Sequence, residues 1–102
     1  MGSYKLKITP EAFQEIQKAI DYYNIRSKGL GKRFYLDLQA QFTLIKKNPF
    51  ARSVRYDDVR FALLHRFPYA AHFTINEKIR TIIIQAVLSD YQDPETHWKK
   101  RE

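Results

Sequence analysis

The sequence predicts an α+β domain: one strand, an antiparallel hairpin of helices, then a three- to four-stranded antiparallel sheet and a short C-terminal helix or tail. Two observations carry this expectation. Apolar residues recur every three or four positions between Thr9 and Asn48, the repeat of an amphipathic helix, and alternate from Arg52 onward, the repeat of a strand. Breakers at Ser27-Lys28-Gly29-Leu30-Gly31 and Asn48-Pro49 divide the helical part and end it. The 102 residues are read as one domain, with Met1-Gly2-Ser3 set aside.

Taken in order, Tyr4 to Ile8 alternate apolar and basic, as a half-buried strand does. Thr9-Pro10-Glu11 places a hydroxyl cap, a proline and an acid where a helix begins. Phe13, Ile16, Ile20 and Tyr23 then mark one helical face, with Glu15, Gln17, Lys18 and Asp21 on the polar positions. A second stripe is Phe34, Leu38, Phe42 and Ile45, with Leu30 leading in. Two helices joined by a short glycine turn pack antiparallel.

Beyond Arg52, Val59, Phe61 and Leu63 alternate with Arg60, Ala62 and Leu64, and Ala71, Phe73 and Ile75 with His72 and Thr74. Asn76-Glu77-Lys78 reads as a turn. Ile79 to Leu88 is the strongest strand, its Ile82-Ile83-Ile84 run predicting apolar neighbours on both faces. Asp93-Pro94-Glu95 repeats the helix-start signature, so Thr96 to Arg101 is expected to form the short terminal helix.

The composition narrows chemistry more than it names it. Aromatics make up 15% of the chain, enough rigid apolar area to build a core without covalent staples. Cysteine is absent, which removes disulfide frameworks, thiolate metal sites and cysteine nucleophiles, and fits a cytoplasmic protein. Histidines only at 65, 72 and 97 supply no ligand constellation, so neither metal nor cofactor is expected. Gly29 and Gly31 precede no Lys-Ser/Thr pair, so no phosphate-cradling loop is present. No apolar run reaches membrane-spanning length. With 18 Lys+Arg against 11 Asp+Glu, the formal charge of +7 points to an acidic partner or a polyanion.

Four segments together resemble the RelE/ParE superfamily of toxins from bacterial type II toxin–antitoxin modules. They are Thr9-Pro10-Glu11-Ala12 with its helix to Asp21-Tyr22-Tyr23; Gly29-Leu30-Gly31-Lys32-Arg33-Phe34 with its helix to Asn48-Pro49; Arg60 with Arg66-Phe67-Pro68-Tyr69; and the Ile-rich strand leading to Asp93-Pro94 and Trp98-Lys99-Lys100-Arg101. Phe67-Pro68-Tyr69 leans toward the ParE-like branch, because RelE-like nucleases tend to carry an arginine where Tyr69 to Ala71 stand. Family members often show a histidine where Ser89-Asp90-Tyr91-Gln92 stands here. The resemblance implies a growth inhibitor neutralised by a cognate antitoxin, whose segment covers an apolar groove and the basic face. It implies DNA gyrase as a target bound without catalysis, or else the ribosome and mRNA as targets of an endoribonuclease. A non-toxic binding module stays open as a third reading, and a generic RNA-binding domain outside the family as a fourth.

Metal-independent RNA cleavage needs a base, an acid and cations for the phosphorane charge. On the nuclease reading, the candidates are His72 and Tyr69 with Arg60 and Arg66 as charge stabilisers. His65 shares the parity of the apolar residues and is expected at an edge or in the core. Parity puts Arg60 and Arg66 opposite Phe61, Leu63 and Phe67, and turns His72 away from the helices. The expectation is a small cationic surface of two arginines beside His72, against the ordinary alternative of solvated arginines. Lys46 and Lys47 fit a helix C-terminus, where cations complement the dipole.

Overall fold

The structure is a computed structural model that describes residues 4–89. A first strand, β1 (Lys5–Ile8), leads into two helices, α1 (Pro10–Arg26) and α2 (Leu30–Lys47). A 3₁₀ turn at Pro49–Ala51 follows, and then β2 (Val54–Tyr56), β3 (Val59–Leu63), β4 (Tyr69–Asn76) and β5 (Thr81–Ser89). The strands form one five-stranded sheet in the order β1-β5-β4-β3-β2. The four later strands pair antiparallel, as the alternation predicts, while β1 joins the same sheet parallel to β5. That parallel pairing is not visible in the sequence, since the partners lie at opposite ends of the chain. The short helix expected at Thr96 to Arg101 lies outside the described residues. Among those residues, no helix is long and apolar enough to cross a membrane.

The start of α1 follows its sequence signature. Thr9 caps the helix by accepting the Ala12 amide at 3.1 Å, and Pro10 occupies the first turn. The Thr9 amide donates to the Ile84 carbonyl at 3.1 Å, so the cap also ties the helix to β5. There the β4–β5 register shifts between His72 and Phe73: His72 faces Ala86 and Phe73 faces Ile84, leaving Gln85 as the extra residue of a bulge. Glu15 adds a second tie by accepting the Val87 amide at 2.9 Å.

The core lies between the helix hairpin and one sheet face. In α2 the predicted stripe of Phe34, Leu38, Phe42 and Ile45 is buried throughout. Fully burying such a side chain contributes about 1.5–3 kcal/mol. In α1 the face is turned by one residue from the predicted one: Ala12, Ile16 and Ala19 are buried, Ile20 and Tyr23 half-buried, and Phe13 is 62% exposed. The alanines present a low surface to the sheet, so the helix packs closely where a phenylalanine would hold it off.

The sheet contradicts one parity expectation. Ala62, Leu64, Ala71 and Phe73 belong to the core under the helices. Arg60 pairs with Phe73 and Ala62 with Ala71, so Arg60 shares the helix-facing parity. Phe61 pairs with His72 and Leu63 with Ala70, and these four point to the far face. Both parities of β3 are largely apolar, so alternation separates two faces without saying which one the helices cover.

Gly29 and Gly31 serve different needs at the hairpin. Gly29 takes φ +84°, a left-handed conformation that side chains disfavour. Gly31 sits against α1: a Cβ there would lie 2.6 Å from the Ile20 carbonyl oxygen and 2.7 Å from Asn24 Cγ. The Gly31 amide donates to Asn24 Oδ1 at 2.9 Å, sealing the approach. Gly31→Ala is therefore expected to cost about 1–3 kcal/mol of stability, because backbone must move to relieve the clash. Urea denaturation checks this, and an unchanged midpoint would refute the close-approach account.

Candidate functional site

The four residues singled out by the sequence occupy separate environments. Arg60 projects on the helix side of the sheet, where its Nη1 donates to the Arg52 carbonyl and its guanidinium lies 5.2 Å from the centre of the Phe50 ring. Its charge is spent pinning the segment after α2 to β3. Arg66 lies in the turn between β3 and β4, beside α2 rather than on a strand. The expected pair of arginines beside His72 on one sheet face is therefore not formed: Arg60 is on the opposite face from His72, and Arg66 has left the sheet.

His72 does face away from the helices, as parity predicts, but it is only 3% exposed. Tyr56 Oη lies 3.1 Å from its Nδ1, so the phenol donates when the imidazole carries its proton on Nε2. Phe61 packs beside the imidazole with ring centres 6.1 Å apart, and the Arg55 guanidinium covers Phe61 at 4.3 Å. Arg55, Tyr56, Phe61 and His72 thus form a far-face cluster holding an acid–base couple and a cation. Arg55 and Tyr56 are absent from the sequence-based set because β2 carries only three residues, too few for a readable alternation. His65 is exposed, not buried at the core. His97 lies outside the described residues.

Tyr69 is a packing residue. Its ring centre is 5.0 Å from Phe34, and Phe67 sits 4.8 Å from Tyr23 and 5.5 Å from Phe34, mostly edge to face. Phe67-Pro68-Tyr69 thereby wedges the β3–β4 turn between both helices, at about 0.5–1.5 kcal/mol per aromatic pair beyond burial. Burial raises the Tyr69 phenol above its ordinary 10.0, and neighbouring Tyr22 adds to the rise.

A larger concavity runs beside α2. Leu30, Leu36, Ala40 and Phe67 line it with Arg33, Asp37 and Arg66, enclosing about 750 Å³. Asp37 is built into its floor, accepting the Arg66 amide at 2.8 Å and the His65 amide at 3.3 Å. A carboxylate on the helix thus holds the turn in place. Among the described residues, no group of three or more His, Asp or Glu side chains converges to hold a metal ion.

This architecture matches known structures over nearly its whole length. The chain is similar to one from the chromosomal ParDE TA system of P. aeruginosa, with TM-score 0.73 and 20% identity, covering 85% of this chain and 96% of that one. It is similar to a chain of the intact E. coli RelBE toxin–antitoxin complex, with TM-score 0.68 and 16% identity over 88% and 100% of the two chains. A mutant of E. coli toxin RelE in the free state gives TM-score 0.68 and 14% identity over 97% of each chain. No family model and no curated protein sequence matches the chain. The chain has the RelE/ParE toxin fold.

Two substitutions separate spent from free charge. Arg60→Ala is expected to lower stability by about 1 kcal/mol, since it removes a hydrogen bond and a cation–π contact. Arg66→Ala should stay within about 0.5 kcal/mol of the parent. Chemical denaturation of both variants is the check, and equal losses would contradict the placement.

Tyr69 makes a pH prediction. The folded chain keeps the phenol protonated more strongly than the unfolded chain does, so stability is full below pH 10.0 and declines as pH rises through the unfolded value toward the raised folded one. Unfolding free energies measured across this alkaline range should fall less steeply for Tyr69→Phe.

Proposed function

We propose that this chain is the toxin of a bacterial type II toxin–antitoxin module, a growth inhibitor neutralised by an acidic cognate antitoxin, and that it acts by binding DNA gyrase. The fold likeness to chains of the ParDE and RelBE systems supports the toxin part of the reading. The observation that carries the binding mode is the dispersal of Arg60, Arg66, Tyr69 and His72 over separate environments. A cleaving site requires base, acid and phosphorane-stabilising cation around one phosphate. These four residues do not meet that requirement, whereas inhibition by binding needs only a complementary surface.

The excess of basic residues suits an acidic antitoxin, and an association governed by such charges weakens as salt rises. A second reading, a ribosome-dependent or free endoribonuclease, is favoured by one feature: the His72–Tyr56 couple beside Arg55. On that reading His72 and Tyr56 exchange the proton and Arg55 meets the phosphate.

Induction in a bacterial host tests both. Growth arrest with lost DNA supercoiling and intact transcripts is the expected outcome. Cleaved transcripts with normal supercoiling would transfer the assignment to the nuclease, with arrest then abolished by His72→Ala. Unimpaired growth with a folded product would leave only a non-toxic binding module.

A further inference from the structure

One end of the fold gathers cations from three parts of the chain. The Tyr4 amide donates to the Lys46 carbonyl at 3.2 Å, and the Lys5 amide to the Arg80 carbonyl at 3.0 Å. The start of β1 thereby lies between the end of α2 and the turn that joins β4 to β5. Lys5, Lys46, Lys47, Lys78 and Arg80 meet there, and the acid of that turn is Glu77. Asp57 and Asp58 lie in the β2–β3 turn, at the opposite edge of the sheet. The ammonium groups of Lys5, Lys46, Lys47 and Lys78 have no partner among the described residues. Lys5, Lys7 and Lys46 also share the lining of a hollow of about 600 Å³ between β1 and α2.

Apolar side chains project among these charges. Ile79, in the β4–β5 turn, is 58% exposed, and Phe50, just beyond α2, is 45% exposed. The turn is pinned on both sides of Ile79. Asn76 Oδ1 accepts the Lys78 amide at 3.1 Å, and Thr81 Oγ1 donates to the Ile79 carbonyl at 3.0 Å. Arg80 completes the turn at φ 49°, a left-handed conformation uncommon outside glycine. An isoleucine is thus held out in solvent between Lys78 and Arg80. Tyr4 joins it to Phe50: the Arg80 guanidinium lies 4.4 Å from the Tyr4 ring centre, and the Phe50 ring stands edge to face at 6.3 Å.

The mixture decides the partner. Cations alone suit any polyanion, but a nucleic-acid backbone gains nothing from a projecting aliphatic side chain. Bases stack on open aromatic faces, and here Arg80 covers the Tyr4 ring and Arg60 the Phe50 ring. An anionic lipid surface uses both parts. Its headgroups attract lysines, and its interface takes up apolar and aromatic side chains.

We propose that this end of the chain docks reversibly on anionic lipid headgroups. Ile79 and Phe50 enter the interface, and Lys5, Lys46, Lys47 and Lys78 meet the phosphates. This contact does not depend on the toxin reading, and it uses none of the far-face cluster around His72.

Sedimentation of the full chain with vesicles tests it, with about one-third phosphatidylserine in phosphatidylcholine against phosphatidylcholine alone. Binding is expected to the anionic vesicles only, and to weaken as salt rises. A basic residue at an anionic surface is worth about five-fold in affinity, so Lys46→Gln with Lys78→Gln should weaken binding about 25-fold. Lys18→Gln with Lys32→Gln removes the same charge elsewhere on the surface and should stay within about two-fold. Ile79→Asp should weaken binding at least about 10-fold. Ile79→Trp should show blue-shifted emission on anionic vesicles, with the parent's Trp98 as the baseline. Circular dichroism verifies that each variant folds.

Equal weakening by the two lysine pairs would overturn the proposal in favour of diffuse attraction. So would an absence of binding to anionic vesicles, unchanged binding by Ile79→Asp, or vesicle-bound Ile79→Trp without a blue shift. A chain that ignores vesicles but binds an oligonucleotide through Lys46 and Lys78 would assign the patch to nucleic acid instead. Vesicle binding by a chain that fails to arrest growth would keep the lipid contact and discard the toxin.

Discussion

The parallel pairing of β1 with β5 closes this fold. Leu6 opposite Ile82 and Ile8 opposite Ile84 put the first strand beside the last described one, with both apolar pairs under the helices. Thr9 extends the link, bonding to β5 while capping α1. Because α1 emerges from the end of β1, the position of the whole hairpin over the sheet is set by this one register. Its contacts join distant parts of the chain, so their loop-closure entropy must be offset by β5 and the helices assembling together.

A second long-range tie shapes the surface. Asp37 holds the backbone at His65 and Arg66, and the Phe67-Pro68-Tyr69 wedge fills the space between that turn and both helices. A motif that resembles a functional signature is thereby explained by packing. Its consequence is local: it fixes one wall of the concavity beside α2, where Phe67 and Arg66 are part of the lining.

The excess of positive charge divides by environment rather than by sequence position. Arg60 is consumed inside the molecule, donating to a carbonyl and covering Phe50. Lys46 and Lys47 complement the C-terminal end of α2. Arg55 covers a ring above the buried His72–Tyr56 couple. Among the described residues the Arg33 and Arg66 guanidiniums have no partner, and they line the concavity beside α2 with Leu30, Leu36 and Ala40. Equal formal charges thus range from internal struts to available contacts.

The helix hairpin, its caps and the order of elements were legible in the sequence because they depend on near neighbours: Thr9-Pro10, the glycines at 29 and 31, and the spacing of Phe34, Leu38, Phe42 and Ile45. The antiparallel strands were legible for the same reason. The candidate site was not. Alternation sorts β3 into Arg60-Ala62-Leu64 and Phe61-Leu63, but both sets are apolar enough to be buried. Only the helices, by covering Ala62 and Leu64, decide that Arg60 points toward them and His72 away. The turn after β3 then carries Arg66 out of the sheet, a departure that no strand parity encodes. Local chemistry determined the elements; long-range packing decided which residues face one another, because a side chain's partner belongs to another part of the chain.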